Sequence, residues 1–255
     1  MIKEPTKIAA AGDWHGDATH ARAAIQYAHD EGADVVVQCG DFGLWPGRGV
    51  EYLEHVQEAC ERTNVDVLWL PGNHEDYDQI AEIEMAEADP FITMGRFTRI
   101  HYIPRGARWE WWGKRFMAIG GAVSVDRDGR IEGKSWWPQE VITNDDVDVA
   151  NREPHGMDVI FSHDCPQGVI IPGIGPDSKN RPGEDYWPLD ALADSQKSRV
   201  KLRRVWSVHQ PKFWLHGHFH VPYEFWLGQT RFFGLDMNGS PMYEHMRFLT
   251  REELQ

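Results

Sequence analysis

The stretch Ile8-Ala9-Ala10-Ala11-Gly12-Asp13-Trp14-His15 joins a short apolar run to a polar cluster. The run at residues 8–11 is bounded by turn residues, which is typical of a buried strand. Asp13 and His15 therefore follow a strand where it gives way to a loop. Ligands of α/β sheets gather in the loops at the carboxyl ends of the strands. The stretch predicts an α/β fold with Asp13 and His15 at its ligand-binding edge.

Four more apolar runs end in the same way, so that five polar clusters follow five predicted strands. The runs at 35–38, 65–70, 157–161 and 212–215 precede Gly40-Asp41, Gly72-Asn73-His74-Glu75, Ser162-His163-Asp164 and Gly217-His218-Phe219-His220. Because the strand ends of such sheets share one crevice, we expect the five clusters to converge. Together they contain seven candidate metal ligands: Asp13, His15, Asp41, Asn73, His163, His218 and His220.

The segments between the first three runs have helical periodicity. Apolar residues recur at helical spacing over 19–31, which stops at Gly32, and again over 51–62. Strands that alternate with helices predict a parallel sheet. The middle of the chain differs, because three closely spaced runs at 97–103, 107–112 and 115–119 predict an antiparallel meander.

The last third of the chain again mixes helix and strand. A helix is predicted over 189–209, followed by strands around Phe213, Phe225, Phe232 and Met246. Residues 166–188 contain many Gly and Pro residues without periodicity, which predicts a long ordered loop or lid. A chain of 255 residues can bury a sizeable core, and we expect a single domain over 1–255 with this lid as an insertion.

The composition restricts partners and location. With 40 acidic and 26 basic residues the formal charge is −14, which disfavours binding to bulk nucleic acid and favours a small substrate. The three cysteines form no CxxC pair, so neither a disulfide framework nor a thiolate zinc site is indicated. No signal-like or membrane-spanning apolar stretch is evident, and we expect a cytoplasmic protein without membrane contact. The sequence leaves the oligomeric state open.

The five clusters, in this order, resemble the signature of the calcineurin-like metallophosphoesterases. The resemblance rests on Asp13-x-His15, Gly40-Asp41, Gly72-Asn73-His74-Glu75, His163 and Gly217-His218-x-His220, and it spans residues 12–220. It implies a four-layer αββα fold, in which two packed mixed sheets are flanked by helices. It also implies two metal ions at the carboxyl edge of the sheets.

The resemblance implies a role for each candidate ligand. One ion would be held by Asp13, His15, Asp41 and His220, and the other by Asp41, Asn73, His163 and His218, so that Asp41 bridges. Two such ions share a bridging hydroxide, lower the pKa of that water and stabilise the attacking and leaving oxygens at phosphorus. Carboxylate, amide and imidazole ligands without thiolate favour Mn, Fe or Zn, with manganese preferred here.

The resemblance also implies that His74 is a catalyst. The His after Asn in this signature contacts the scissile phosphate and protonates or stabilises the leaving oxygen, and Asn73 and His74 would bind the substrate. The protein-phosphatase branch has a GDxxDRG block and an Arg before its GNHE block. Here the chain reads Asp41-Phe42-Gly43-Leu44-Trp45 and has Pro71 before Gly72, so those Asp and Arg residues are missing. Glu75 and Asp76 remain alternatives for orienting His74.

These features predict a hydrolase of a small phosphodiester, such as a nucleotide or cyclic nucleotide. The alternatives are a phosphomonoesterase with the same site and a catalytically silent binding scaffold of the same fold. A nuclease requires a local basic patch, for which Lys201, Arg203 and Arg204 are candidates. Trp136, Trp137 and Trp187 lie in Pro-flanked segments and could stack on a nucleobase. Arg127 is a candidate phosphate contact, although a surface role is favoured.

Overall fold

A computed structural model describes residues 2–47, 49–86, 90–174 and 188–255. The strands are β1 (Lys7–Ala11), β2 (Val35–Gln38), β3 (Asp66–Trp69), β4 (Ile92–Met94), β5 (Phe97–Tyr102), β6 (Arg108–Trp111), β7 (Lys114–Ile119), β8 (Val159–Ser162), β9 (Phe213–His216), β10 (Tyr223–Leu227), β11 (Thr230–Gly234) and β12 (Met246–Thr250). The helices are α1 (Ala18–Asp30), α2 (Gly49–Thr63), α3 (Tyr77–Ala86), α4 (Asn144–Ala150), α5 (Leu189–His209) and α6 (Met242–His245). In the described part of the chain, no helix is long and apolar enough to cross a membrane.

The strands form two mixed sheets of six strands each. The first has the order β12-β1-β2-β3-β5-β4, and the second has the order β10-β11-β9-β8-β7-β6. In the first sheet β1, β2, β3 and β5 run parallel, while β12 and β4 are antiparallel edge strands. In the second sheet β7, β8, β9 and β11 run parallel, with β6 and β10 antiparallel at the edges. The predicted parallel arrangement of the first strands is confirmed.

Alternation along the strands explains how the two sheets pack. Ile8 and Ala10 of β1 belong to a core shared with Phe116 and Phe161 of the second sheet. Their neighbours Ala9 and Ala11 face the other way, into a core with α1 and α2. A third core places α4 and α5 against the outer face of the second sheet. Because successive side chains of a strand point to opposite faces, the result is the predicted four-layer αββα fold.

The predicted meander is wrong in one respect. β6 and β7 do pair antiparallel, but β5 pairs with β3 and β4 in the first sheet. The chain therefore crosses from one sheet to the other at Pro104-Arg105-Gly106. The buried guanidinium of Arg105 holds this crossover by donating to the Tyr77 hydroxyl and to the carbonyls of Gln139 and Glu140. Periodicity reports that a segment is a strand but not which sheet it joins.

The predicted loop or lid at 166–188 is described only in part. Residues 166–174 form turns closed by a bridge between Ile171 and Ile174. The buried Arg199 of α5 ties down these turns, because it donates to the carbonyls of Cys165, Pro166 and Val169. Residues 175–187, and Trp187 with them, lie outside the described residues.

Candidate metal centre

The five polar clusters lie at one edge of the two sheets. Three of them follow the adjacent parallel strands β1, β2 and β3, and two follow the adjacent parallel strands β8 and β9. Parallel neighbours end at the same edge, so the topology brings the clusters together, as their positions in the sequence predict. Contacts across the sheets confirm the convergence: the Asp13 carboxylate accepts a hydrogen bond from the His218 backbone N–H at 3.0 Å.

Two groups of side chains in the described residues could each hold a cation. The first group is Asp13, His15 and His220, and the second is Asp13, Asp41 and His163. Within each group the donor atoms lie within 4.8 Å of one another. His220 Nε2 is 2.9 Å from Asp13 Oδ2. These spacings and the oxygen and imidazole donors suit a divalent cation.

Asp41 belongs to the second group and also approaches His15 of the first. Its Oδ2 is 3.4 Å from His15 Nε2, and its Oδ1 is 3.4 Å from His163 Nε2. One carboxylate oxygen therefore faces each side of the site. Asn73 joins the second side, because its Oδ1 is 2.9 Å from His163 Nε2. The His218 ring stands against the His163 ring, with centroids 4.9 Å apart, and its nitrogens belong to neither described group.

The electrostatics of the site show that its buried carboxylates need positive charge. Asp13 and Asp41 are 0% and 2% exposed. Burial raises the pKa of Asp41, but His163 and His74 outweigh it and hold the pKa well below its usual range. Burial also opposes charge on the imidazoles, yet Asp41 and Asp13 raise the pKa of His15 to about 9 and of His163 to about 10. Buried carboxylates beside imidazoles are a donor set whose charge a divalent cation would balance, so the residues fit a metal centre.

Two imidazoles are oriented by acceptors behind them. Nδ1 of His163 donates to the Cys39 carbonyl at 2.8 Å, and Nδ1 of His15 donates to Asn238 Oδ1 at 2.8 Å. Each contact directs Nε2 towards the site, as in metal centres where an outer acceptor fixes the ligand ring. Asn238 was not predicted from the sequence, because it follows β11, far along the chain from His15. Its Asn-Gly turn was the one local signal at that position.

A similar chain of contacts orients Asn73. Its Nδ2 donates to Ser124 Oγ at 3.1 Å, so its oxygen faces His163. Ser124 donates through its Oγ and its backbone N–H to the buried carboxylate of Glu140. Burial raises the pKa of Glu140 to about 7, although the Ser124 hydrogen bonds act in the opposite direction. Glu140 and Ser124 are thus parts of the site that the sequence clusters did not include.

Four of the seven candidate ligands have a left-handed backbone. The φ angles are 46° at His15, 53° at Asp41, 69° at His218 and 52° at His220. Such conformations cost roughly 1–3 kcal/mol each and persist only where the surroundings fix them. Asp, Asn and His adopt this region more readily than other side chains do. Strain of this kind is typical of functional sites.

Gly217 and Gly72, which lie beside candidate ligands, are required because the Asp13 and Asp41 carboxylates approach them closely. A Cβ added to Gly217 would lie 2.0 Å from Asp13 Oδ1, and one added to Gly72 would lie 2.1 Å from Asp41 Oδ1. Neither position has space for a side chain while the carboxylate stays in place. Glycine at positions 217 and 72 therefore allows the Asp13 and Asp41 carboxylates to pack against the backbone of the neighbouring loops.

We expect Gly217→Ala to weaken metal binding by about 10- to 100-fold, because the added methyl group displaces Asp13. Metal content after dialysis, measured by elemental analysis, tests this. Gly49→Ala is the matched control, since its Cβ would lie 3.4 Å from Leu44, an ordinary contact. Wild-type metal content in a folded Gly217→Ala protein would contradict the placement of Asp13.

His74 has a different environment from the candidate ligands. Its side chain is 32% exposed, and its Nε2 is 3.9 Å from Asp41 Oδ2. The guanidinium of Arg130 lies 2.7 Å from the same Nε2. Burial lowers the pKa of His74, and the charge of Arg130 adds to this although Asp41 opposes it. Arg130 was missed by the sequence analysis, which considered Arg127 three residues earlier.

Neither Glu75 nor Asp76 orients His74. The buried Glu75 carboxylate accepts from the backbone N–H groups of Gly43 and Gly72 and so joins two loops of the site. Asp76 accepts from the backbone N–H groups of Asp78 and Gln79 at the start of α3. Both acidic residues therefore support the loops and the helix around His74.

Several other candidates of the sequence analysis are placed away from the centre. His216, which directly precedes the last cluster, has both ring nitrogens engaged, with Tyr223 Oη at 2.6 Å and the Gly217 carbonyl at 2.9 Å. Trp137 is 4% exposed and donates to Asp78, which makes the stacking hypothesis wrong for this residue. Trp136 is half-buried. Arg127 pairs with Asp190 and Asp194 of α5.

Comparisons with known proteins agree with the fold. The calcineurin-like phosphoesterase family model matches residues 6–222, a range that includes all five clusters. The chain is similar to TT1561 of Thermus thermophilus, with 14% identity and a TM-score of 0.56 over 98% of this chain and 96% of that one. It is also similar to a dimetal phosphatase from Danio rerio, with 16% identity and a TM-score of 0.55 over 96% and 92% of the two chains. No curated protein matches the sequence. At these identities the solved structures show a shared fold.

Proposed function

Because the chain belongs to the calcineurin-like phosphoesterases, a family of metal-dependent phosphoester hydrolases, we propose that it hydrolyses a small phosphodiester such as a nucleotide or cyclic nucleotide. The observation that supports a hydrolytic centre is the position of the Asp41 carboxylate, with one oxygen towards His15 and the other towards His163. A carboxylate so placed would be available to two cations, one on each side. The position also matches the bridging role that the sequence resemblance implies.

In this proposal the seven residues form two sets of ligands. Asp13, His15, Asp41 and His220 would hold one ion, and Asp41, Asn73, His163 and His218 would hold the other, with manganese as the favoured metal. When bound, two such ions lower the pKa of the attacking water and stabilise the attacking and leaving oxygens. Asn238, Cys39 and Ser124 keep the ligand side chains in the required orientation.

His74 is proposed as the catalytic residue and, with Asn73, as a substrate contact. Its imidazole is half-buried and lies beside the Asp41 carboxylate, where a bound phosphoryl group would be within reach. Its backbone N–H donates to Asp41 Oδ1 at 2.9 Å, and this hydrogen bond fixes the backbone of His74 relative to the centre. After Nε2 takes up a proton from solvent, the imidazolium would pass that proton to the leaving oxygen, a contribution of about 10²–10⁴-fold in rate.

The preference for a diester is supported by what the loops lack. The arginines of the protein-phosphatase signature, which would clamp the second negative charge of a monoester, are replaced by Trp45 and Pro71. The formal charge of −14 also disfavours a dianion relative to a monoanion. Both features make a phosphodiester the better substrate.

We expect the Mn²⁺-loaded protein to hydrolyse bis-p-nitrophenyl phosphate with a higher kcat/KM than p-nitrophenyl phosphate, and to turn over a 2′,3′-cyclic or 3′,5′-cyclic nucleotide. A chelator should abolish both activities, with about two metal equivalents per active chain. Initial rates on the two aryl esters and elemental analysis test this. A clear preference for the monoester would favour the phosphomonoesterase alternative. Active protein without metal would refute the two-metal proposal, and metal-loaded protein without activity on any ester would favour the silent scaffold.

The nuclease alternative is disfavoured by the position of its basic residues. Lys201 Nζ donates to the Ile142 carbonyl, and Arg204 donates to Asn144 at the start of α4. The Arg203 guanidinium lies 4.1 Å from the Trp206 ring on the same helix. These side chains are engaged on α5 and around α4, so they do not form the basic patch that a nucleic acid would require at the site.

A further inference from the structure

We propose that Arg130 contacts the phosphoryl group of the substrate and that Asp126, by neutralising the charge of Arg130, sets the preference for a diester over a monoester. This inference rests on the proposed function and adds to it a substrate-binding residue and a specificity-determining residue. Neither lies in the five clusters. Both belong to the segment between β7 and α4.

The first observation is the position of the Arg130 guanidinium. Its NH2 group lies 2.7 Å from His74 Nε2. Arginine has donors only, so His74 Nε2 is the acceptor in this arrangement. That nitrogen is the atom that would meet the leaving oxygen of a substrate. A guanidinium edge at this point is therefore next to the phosphoryl oxygens once a substrate replaces the imidazole as acceptor.

The second observation is that Arg130 is held in a fixed orientation. Its Nε and NH2 groups donate to Asp126 Oδ2 at 2.9 and 2.7 Å, and its NH1 donates to the Ser135 carbonyl at 3.3 Å. The side chain is 10% exposed. A planar guanidinium that is oriented in advance loses little freedom when it binds a phosphate, which is why arginine is favoured for such contacts.

The other arginines of this region are engaged away from His74. Arg105 is buried at the crossover between the sheets, where it donates to backbone carbonyls. Arg127 lies in the same turn as Arg130 but pairs with Asp190 and Asp194. Among the described residues, Arg130 is the arginine that contacts His74.

The third observation concerns net charge. One oxygen of the Asp126 carboxylate accepts from both Nε and NH2 of Arg130. The pair therefore offers hydrogen-bond donors to the site while its net charge is close to zero. Donors without net charge suit the single negative charge of a diester. A monoester dianion would gain more from an uncompensated guanidinium, because the attraction grows with the charge of the ligand. Asp126 thus removes the advantage that an arginine would give to a monoester.

The experiment compares Asp126→Asn and Arg130→Gln with the wild type. The amide introduced at position 126 keeps an oxygen acceptor for Arg130 but loses the charge. For the Mn²⁺-loaded Asp126→Asn protein we expect the kcat/KM ratio of p-nitrophenyl phosphate to bis-p-nitrophenyl phosphate to rise roughly fivefold. Binding of inorganic phosphate, measured by calorimetry, should tighten by a similar factor. Arg130→Gln should lower the ratio and weaken phosphate binding at unchanged metal content.

Matched controls lie in the same turn. Asp128→Asn removes an exposed carboxylate two residues away, and Arg127→Gln removes a guanidinium that faces α5. Both should keep the wild-type ratio and phosphate affinity. In the Arg130→Gln background, Asp126→Asn should bring the ratio back no higher than the wild-type value, because it removes the unpaired carboxylate but leaves no guanidinium charge.

The result separates this inference from the proposed function. If the wild-type protein prefers the monoester, the diester proposal is overturned. The change in the kcat/KM ratio caused by Asp126→Asn would still decide whether Arg130 and Asp126 influence the choice of ester. An unchanged ratio and unchanged phosphate affinity in Asp126→Asn, with wild-type metal content, would overturn the inference. Wild-type phosphate affinity in Arg130→Gln would overturn it as well, even if the Asp126 variant failed to fold.

Discussion

Asp41→Asn is expected to weaken both metal sites together and to lower turnover by more than about 100-fold. The substitution keeps the shape of the side chain and removes one negative charge at the point between His15 and His163. Asn also adopts the left-handed conformation found at position 41, so the backbone should be preserved. The variant should therefore keep its fold and lose only the negative charge that both proposed metal sites share.

Metal titration followed by calorimetry, with activity measured at each ratio, tests this expectation. Asp158→Asn is the matched control, because Asp158 precedes β8 and lies at the opposite end of that strand from His163. It accepts from the Arg115 backbone N–H at 2.8 Å, a bond that Asn can keep. The control should bind both ions normally. If Asp41→Asn lost only one ion while the other kept its affinity, Asp41 would not be a shared ligand.

His74→Ala is expected to give the opposite pattern: about two metal ions per chain and a turnover lower by roughly 10²-fold or more. The hydrogen bond from residue 74 to the Asp41 carboxylate is donated by the backbone N–H, and alanine retains this group. Only the imidazole is lost. The defect should grow as the leaving group becomes poorer, because a proton donor matters least when the departing oxygen is already a stable anion.

A series of aryl and alkyl diesters measures this dependence. His29→Ala, which removes an exposed imidazole from α1, is the control and should leave every rate unchanged. Loss of metal from His74→Ala would make His74 a ligand. Full turnover of an alkyl ester by His74→Ala would refute its role as an acid.

The sequence predicted the clusters well because each follows directly from a strand. A buried strand has a strong local signal, and its carboxyl end is fixed once the sheet is parallel. The runs at 35–38 and 189–209 coincide with β2 and α5. The family match then supported the fold and the general chemistry, while the assignment of individual ligands remains a proposal.

The residues that could not be predicted from the sequence act through contacts with distant segments of the chain. Asn238 contacts His15 from a distant part of the chain, and Arg130 reaches His74 from a turn that has no strand or helix periodicity. Their roles depend on which loops meet in space. The crossover at Pro104-Arg105-Gly106 was missed for the same reason, since a strand pattern does not specify its neighbours.

The left-handed backbone at His15, Asp41, His218 and His220 has a consequence for how this family can diverge. A residue that replaces one of them must adopt a positive φ angle, whether or not it binds a metal ion. Most side chains would therefore destabilise the fold even after catalysis is no longer under selection. Glycine and asparagine are the exceptions, because both accept the conformation without needing to bind a cation. Homologues that have lost activity should therefore accumulate Gly or Asn at these four positions before they accumulate bulky or branched residues. With His15 and His220 as ligands, as proposed, a relative with Gly at either position would lack part of the metal site.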